Sequence, residues 1–290
     1  MITSILVNGL VCAGIYGLLA LGFSLTFGVA KILNMAHTGF YMVAAFFLYV
    51  GTNLIGLPLL SSALLAIVIT GILGLSSYKL FFDRIKEHEA AVVIVSLALA
   101  ILFQEVLLLT FGGHYRNVRA FAPGFYEVSN IRVSYQHLLT SLVSLISLGI
   151  IWVILRKTRI GITIRAVAED REIANLMGIN VSQWCMITFG ISVILAGIAA
   201  TLVAPIFMVH PLMWTHPLVI VLAAVVLGGL DSIKGAVIGA LILGLAENVI
   251  ASIVPGGSFL RGAFSLSIMV IILMIRPEGL FGTAFEEERL

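Results

Sequence analysis

The sequence predicts an all-α fold, a polytopic transmembrane helical bundle of about eight or nine spans with broken or re-entrant helices. Three observations predict it. Of 290 residues, 61% are hydrophobic and 10% charged, whereas soluble domains carry about 25% charged residues. Apolar runs of about 20 residues, the length that crosses a bilayer core about 30 Å thick, recur from end to end. Charges fall between those runs, and no stretch reads as a separate soluble domain, so residues 1–290 form one membrane domain.

Taken in order, Ile5–Val29 is the first span, because no Lys or Arg precedes Lys31 and the run is longer than the apolar core of a signal peptide. Gly39–Leu54 follows as a marginal segment. Leu57–Leu80, Ala90–Phe111, Leu138–Leu155 and Cys185–Val209 are of spanning length. Leu218–Leu230 is too short to cross alone and reads as a half-helix or part of a broken span. Gly235–Val254 and Phe259–Ile275 complete the set of nine. Small-xxx-small spacings, such as Gly235–Gly239 with Ala236–Ala240 and Gly190 with Ala196–Ala200, suit close helix packing in lipid.

Basic residues in short loops set orientation. With the loops holding Lys79, Arg84 and Lys86 and Arg156 to Arg171 inside, twelve of sixteen basic residues are cytoplasmic, the N-terminus is outside and the C-terminus inside. Arg116, Arg119, Arg132 and Arg261 remain outside. A net charge of +2 gives no case for nucleic acid. Cys12 and Cys185 sit singly in apolar runs and read as small core residues, with neither disulfide nor metal expected.

The loop 156–182 carries the most charge. A helical wheel puts Ala166, Ile173, Ala174 and Met177 on one stripe and Arg165, Glu169 and Glu172 on another face, giving one short amphipathic helix stopped by Gly178. It lacks large apolar anchors and a basic polar face, so a lipid-surface helix fits poorly. A protein-docking helix fits better, with apolar anchors for affinity and charges for register.

This segment resembles the cytoplasmic coupling segment of the LivH/LivM family of ABC-importer permeases, on Gly161, Arg165, Ala166, Glu169, Asp170, Ala174, Gly178, Ile179 and Asn180. Three further stretches resemble the family: Asn8-Gly9 through Asn34 and His37; Leu227 to Ala236, including Gly228, Gly229 and Ser232; and Arg276-Pro-Glu-Gly-Leu-Phe-Gly282. The likeness runs in order through nearly the whole chain and favours the LivH-like member of the pair. After His37 the chain carries Thr38, Gly39 and Phe40 where the family usually has glycine and an acidic residue.

The resemblance implies a permease subunit that moves amino acids, branched-chain types first, across a bacterial inner membrane. It also implies its partners: a second, LivM-like permease, two cytoplasmic ATPase subunits and a periplasmic solute-binding protein. The chain has no GxxxxGK[ST] phosphate loop, so ATP and Mg are expected on the partner ATPases, with no cofactor and no enzyme site here.

Ionisable residues at membrane depth cost about 2.5–3.5 kcal/mol or more, which makes each a site candidate. Glu105 beside Gln104 and Glu247 beside Asn248 are two such positions, read either as path-lining or as holding helices together. Asn34 and His37, one turn apart near the cytoplasmic end of the first span, either cap a helix or line a gate. Leu227-Gly228-Gly229-Leu230-Asp231-Ser232 is expected to be a functional break in the backbone, the alternative being a tight hairpin. His88, His114 and His137 are expected in solvated loops, and His210 and His216 in an outer loop without metal-ligand spacing. The rival function is an ion- or proton-coupled secondary transporter using Glu105 and Glu247 for coupling.

Overall fold

The computed structural model describes residues 2–128, 131–254 and 257–282. Among these the chain is a helical bundle wrapped around its first helix. That helix, α1 (Ile2–Ala30), is uninterrupted because its 29 residues contain no charge or proline. It packs against four later helices, among them the one that carries Gly244. A Cβ added at Gly244 would stand 2.6 Å from the Ala13 backbone, so the two helices meet at van der Waals distance only because glycine is there.

The chain turns at Lys31, whose φ of +49° ends α1. Residues 31–36 are not helical; they re-enter the bundle, and Ile32, Asn34 and Ala36 are buried. Backbone groups inside a membrane protein need internal partners. Here Met35 N–H donates to Ser96 Oγ at 3.0 Å and Ala36 N–H donates to Asn34 Oδ1 at 3.1 Å. Ser96 Oγ in turn donates to Leu33 O at 3.3 Å. From this entry, α2 (His37–Tyr49) is buried along almost its whole length and continues through a wide π-helical turn, Val50–Leu54.

Pro58 precedes α3 (Leu59–Ser77), which runs through a second π-helical turn, Tyr78–Phe82, into α4 (Asp83–Ile85). Tyr78 and Phe82 stack on Phe189, with ring centroids 5.3 and 5.2 Å apart. Next comes α5 (Glu89–Phe111), ended by Gly112 at φ +73°. A small antiparallel ribbon, β1 (Phe125–Val128) with β2 (Ile131–Ser134), departs from the all-α expectation. It leads into α6 (Tyr135–Lys157), whose first turn is capped by Ser134 Oγ accepting from Gln136 N–H.

The charged loop is two helices rather than one: α7 (Arg159–Glu169) and α8 (Arg171–Leu176). The break is at Asp170, which is extended at φ −152° and caps α8 by accepting from Ile173 N–H at 2.9 Å. Then follow α9 (Val181–Val203), α10 (Thr215–Gly228), α11 (Ile233–Ile253) and α12 (Gly257–Ile275). The expected span to Val209 stops at Val203, and residues 204–214 return along the bundle without forming a helix.

Six helices are long and apolar enough to cross a membrane, and two shorter apolar ones, Thr215–Gly228 and Leu260–Ile275, accompany them among the described residues. Two ends are distinct. One carries Lys31, Arg171 and Asp231, with Lys31 Nζ 2.6 Å from Asp231 Oδ1. The other carries the ribbon, with Arg116 and Val209 exchanging backbone hydrogen bonds of 2.9 and 2.8 Å.

The Leu227–Gly235 stretch takes the form of a tight hairpin between α10 and α11, the alternative to a re-entrant break. Its glycines are needed for contact: a Cβ on Gly228 would lie 2.1 Å from the Gly235 carbonyl carbon. Ser232 caps α11 by accepting from Gly235 N–H at 3.1 Å. The C-terminal segment closes over this turn, with Leu280 and Phe281 N–H donating to the last carbonyls of α10, Leu227 O (2.8 Å) and Gly228 O (3.0 Å). Gly229 and Gly279, both at positive φ, meet there. The two glycine motifs of the sequence are thus one structural unit. The broken backbone lies instead at 31–36 and 204–214.

Candidate translocation and coupling sites

The α7–α8 unit protrudes at the Lys31 end. Gly161 lets α7 lie across the end of α6, since a Cβ there would stand 2.3 Å from Ile154 O. Ile164 and Val167 face the bundle, while Arg165, Glu169 and Asp170 are exposed and Ala166 is half-buried. Ala174 is only 4% exposed and packs inward, so it is not the docking anchor the helical wheel suggested. The outward apolar edge is Ile173, Leu176 and Met177, at 59%, 87% and 78% exposure. Gly178, at φ +84°, ends α8, and Ile179 N–H donates back to Ala174 O at 3.0 Å.

Arg171 is a residue the sequence reasoning counted only as charge. Its guanidinium grips the C-terminal end of α1, Nη2 donating to Val29 O at 2.7 Å and Nε at 3.2 Å. Val29 O is one of the carbonyls a helix end leaves unpaired, and a cation there also matches the helix dipole. The protruding α8 is therefore fastened to the central helix. Ser182, beside it, donates to Asp83 Oδ1 at 3.0 Å, and Lys86 holds the same oxygen at 2.9 Å, tying the start of α9 to α4.

His37 lies deeper than expected. Its Nδ1 is 3.1 Å from Ser192 Oγ, midway along α9, and its ring edge occupies the space above Gly22, where a Cβ would come within 2.9 Å of Cε1. Asn34 is the local support of the entry turn rather than a partner of His37 on one helical face, because residues 31–36 form no helix.

Glu247 is 1% exposed and sits among α1, α10, α11 and α12. Tyr16 Oη donates to its Oε2 at 3.0 Å, Ser265 Oγ donates to Oε1 at 3.2 Å, and His216 Nε2 lies 3.7 Å away. His216 stands in the first turn of α10 rather than in a loop, about half exposed, with its ring edge toward the buried Glu247; His137, expected in a solvated loop, stands near the start of α6 and is half-buried. Glu105, by contrast, is exposed on the outer face of α5, where Gln104 Nε2 donates to it at 3.0 Å while Gln104 Oε1 accepts from Trp214 Nε1 at 2.9 Å. The two acids are not brought together. Gly228, Gly229 and Ser232 belong to the hairpin at the Lys31 end, close to the coupling unit.

The family model for the permease component of the branched-chain amino acid transport system matches residues 5–275. The chain is 26% identical to the high-affinity branched-chain amino acid transport system permease protein BraD of Pseudomonas aeruginosa, over 96% of this chain and 94% of that one. It is 24% identical to LivH of Escherichia coli, over 95% and 94%, and 28% identical to a probable LivH of Methanocaldococcus jannaschii, over 98% and 93%. In fold it is similar to a chain of PsaBC from Streptococcus pneumoniae, with a TM-score of 0.55 at 15% identity over 94% and 92% of the two chains. A multi-pass helical bundle with these motifs, matched from its first helix to its last, belongs to the family of branched-chain amino acid transport permease components.

Proposed function

We propose that this chain imports branched-chain amino acids as the LivH-like half of an ABC importer in a bacterial inner membrane. The observation that carries the mechanism is the link from α8 to α1: an exposed apolar edge, Ile173, Leu176 and Met177, on a helix whose Arg171 holds the end of the central helix. A cytoplasmic ATPase docked on that edge displaces α8, and Arg171 passes the displacement to α1, around which the bundle is packed. Arg165, Glu169 and Asp170 set the register of docking from the exposed side.

In this reading the Lys31 end is cytoplasmic, which agrees with the distribution of basic residues. Nine traverses result when α2, α10 and α12 are counted with the six long helices. The outer face of α5 with Glu105 lies against the LivM-like permease or the path between the two, since a lipid-facing carboxylate costs about 2.5–3.5 kcal/mol. ATP and Mg are bound by the two ATPase subunits, and a periplasmic binding protein delivers the solute.

Docking is tested by co-purifying the ATPases with permease variants. Leu176→Glu is expected to abolish ATPase recruitment while the permease remains inserted and folded. Normal recruitment by Leu176→Glu together with Met177→Glu would refute a docking face on this edge.

A further inference from the structure

Opposite the coupling end, the returning segment 204–214 and the start of α10 enclose a cavity of about 410 Å³ against α1, α2 and α12. Its size is within the range of small-molecule sites. Its polar lining is Tyr16, Tyr41, His210, Thr215, His216 and Arg261. Among the described residues that line it there is a guanidinium and there are two imidazoles, but no carboxylate. Arg261 is the permanent cation, and its buried Nε has no hydrogen-bond partner among the described residues. Partial burial lowers the His210 pKa from its ordinary value, and its Nδ1 accepts from Leu212 N–H at 3.1 Å, which favours the neutral ring.

The first turn of α10 opens on the same space. No side chain caps it at Trp214; Thr215 N–H turns back to Leu212 O at 3.3 Å and Pro217 has no N–H, which leaves His216 N–H and the helix dipole to attract an anion. Glu247 stands behind Tyr16 and His216 rather than in the wall, so its charge is shielded by the Tyr16 and Ser265 hydroxyls. The rest of the lining is mostly apolar and includes Ile15, Phe207, Met208 and Leu212. The cavity thus offers a guanidinium for an anionic head and apolar side chains for an aliphatic body.

We propose that this cavity binds an aliphatic amino acid as it enters the permease, its carboxylate on Arg261 and the α10 N-terminus and its side chain against Ile15, Phe207, Met208 and Leu212. The proposal rests on the import reading above and adds to it a site within the membrane chain itself. The lining sets the ligand class: a carboxylate meets the guanidinium, whereas an amine without a carboxylate finds only hydroxyl oxygens, such as those of Tyr41 and Thr215, and no counter-charge.

The test uses the whole complex of permeases and ATPases in lipid nanodiscs, without solute-binding protein. Both native cysteines are replaced by serine, and Met208→Cys on the apolar wall, 53% exposed, reports access through its rate of alkylation by an uncharged maleimide. Leucine and 4-methylpentanoate are expected to slow alkylation, and 3-methylbutylamine to leave it unchanged. With protection read relative to each variant's own unprotected rate, Arg261→Gln is expected to raise the half-protecting leucine concentration about tenfold or more, the effect of losing a charged hydrogen bond. Arg261→Lys should restore part of the protection. Equal protection by the amine, or no protection in a complex that does import leucine, would overturn the site while leaving the import reading intact. A complex that imports no aliphatic amino acid would sink the import reading instead.

Discussion

Glu105 and Glu247 stand at the same depth, each six residues, about 9 Å, from the ribbon end of its helix, yet in opposite surroundings. Glu247 is enclosed by its own chain, with Tyr16 and Ser265 donating to its two oxygens and His216 beside it. Glu105 stands on the outside of α5 with Gln104 as its one hydrogen-bonding neighbour among the described residues. The difference separates two uses of a carboxylate in a membrane protein. One is satisfied within the fold and joins helices; the other has a single neighbouring donor and faces outward from the chain. Membrane depth alone therefore does not mark a path residue.

The largest effect is expected at Glu247. Glu247→Leu leaves the Tyr16 hydroxyl buried without its acceptor and removes the tie from α11 to α1 and α12, costing about 1–3 kcal/mol or more. It should show as a lower unfolding temperature of the purified permease in detergent, with Glu247→Gln, which keeps an acceptor, much milder. A Glu247→Leu permease as stable as wild type would remove the structural reading of this residue.

Gln104→Leu should come next, at about 0.5–1.5 kcal/mol, since it leaves Trp214 Nε1 without the acceptor that ties the start of α10 to α5. Glu105→Leu should have the smallest effect on the isolated chain, within about 0.5 kcal/mol, because no buried group depends on it. In the complex the order of the acids reverses: Glu105→Leu is expected to weaken pairing with the second permease or to slow uptake. If Glu105→Leu leaves both unchanged, the outer face of α5 borders neither partner nor path.

A related contrast holds between Arg171 and Arg165, both on the coupling unit. Arg171→Ala should keep ATPase recruitment and ATP hydrolysis but lose most uptake, because its grip on Val29 O is what connects α8 to α1. Arg165→Ala, on the exposed face of α7, should affect recruitment rather than coupling.

The bundle was legible in the sequence because apolar run length is a direct record of membrane spans, and small-residue spacing did mark close packing, as at Gly235 and Gly239 against α10. The coupling unit was legible as a charged loop, but not its orientation. A helical wheel gives a stripe without saying which side faces the protein, and a single helix over 165–177 puts α8 out of phase with α7. Asp170, a strong capping residue, was the available signal for the break.

The re-entrant backbone at 31–36 was illegible for a different reason. Ile32-Leu33-Asn34-Met35-Ala36 has no glycine or proline, and its non-helical path is held by Ser96 of a distant helix. At Leu227–Gly235 the glycines signalled irregular backbone correctly, but local composition does not encode depth, and the turn proved to be at the bundle end. Tyr16, His216 and Arg261 come from three helices and share no sequence pattern, so only the fold assembles them.

An energy supply from ATPases docked at the α8 edge makes uptake depend on ATP and on no ion gradient. The direct measurement is leucine uptake into proteoliposomes holding the purified complex and its binding protein, with ATP supplied on the ATPase side and ion gradients collapsed. Uptake that requires ATP and persists without any gradient is the predicted result. Uptake driven by a proton or sodium gradient in the absence of ATP would contradict it.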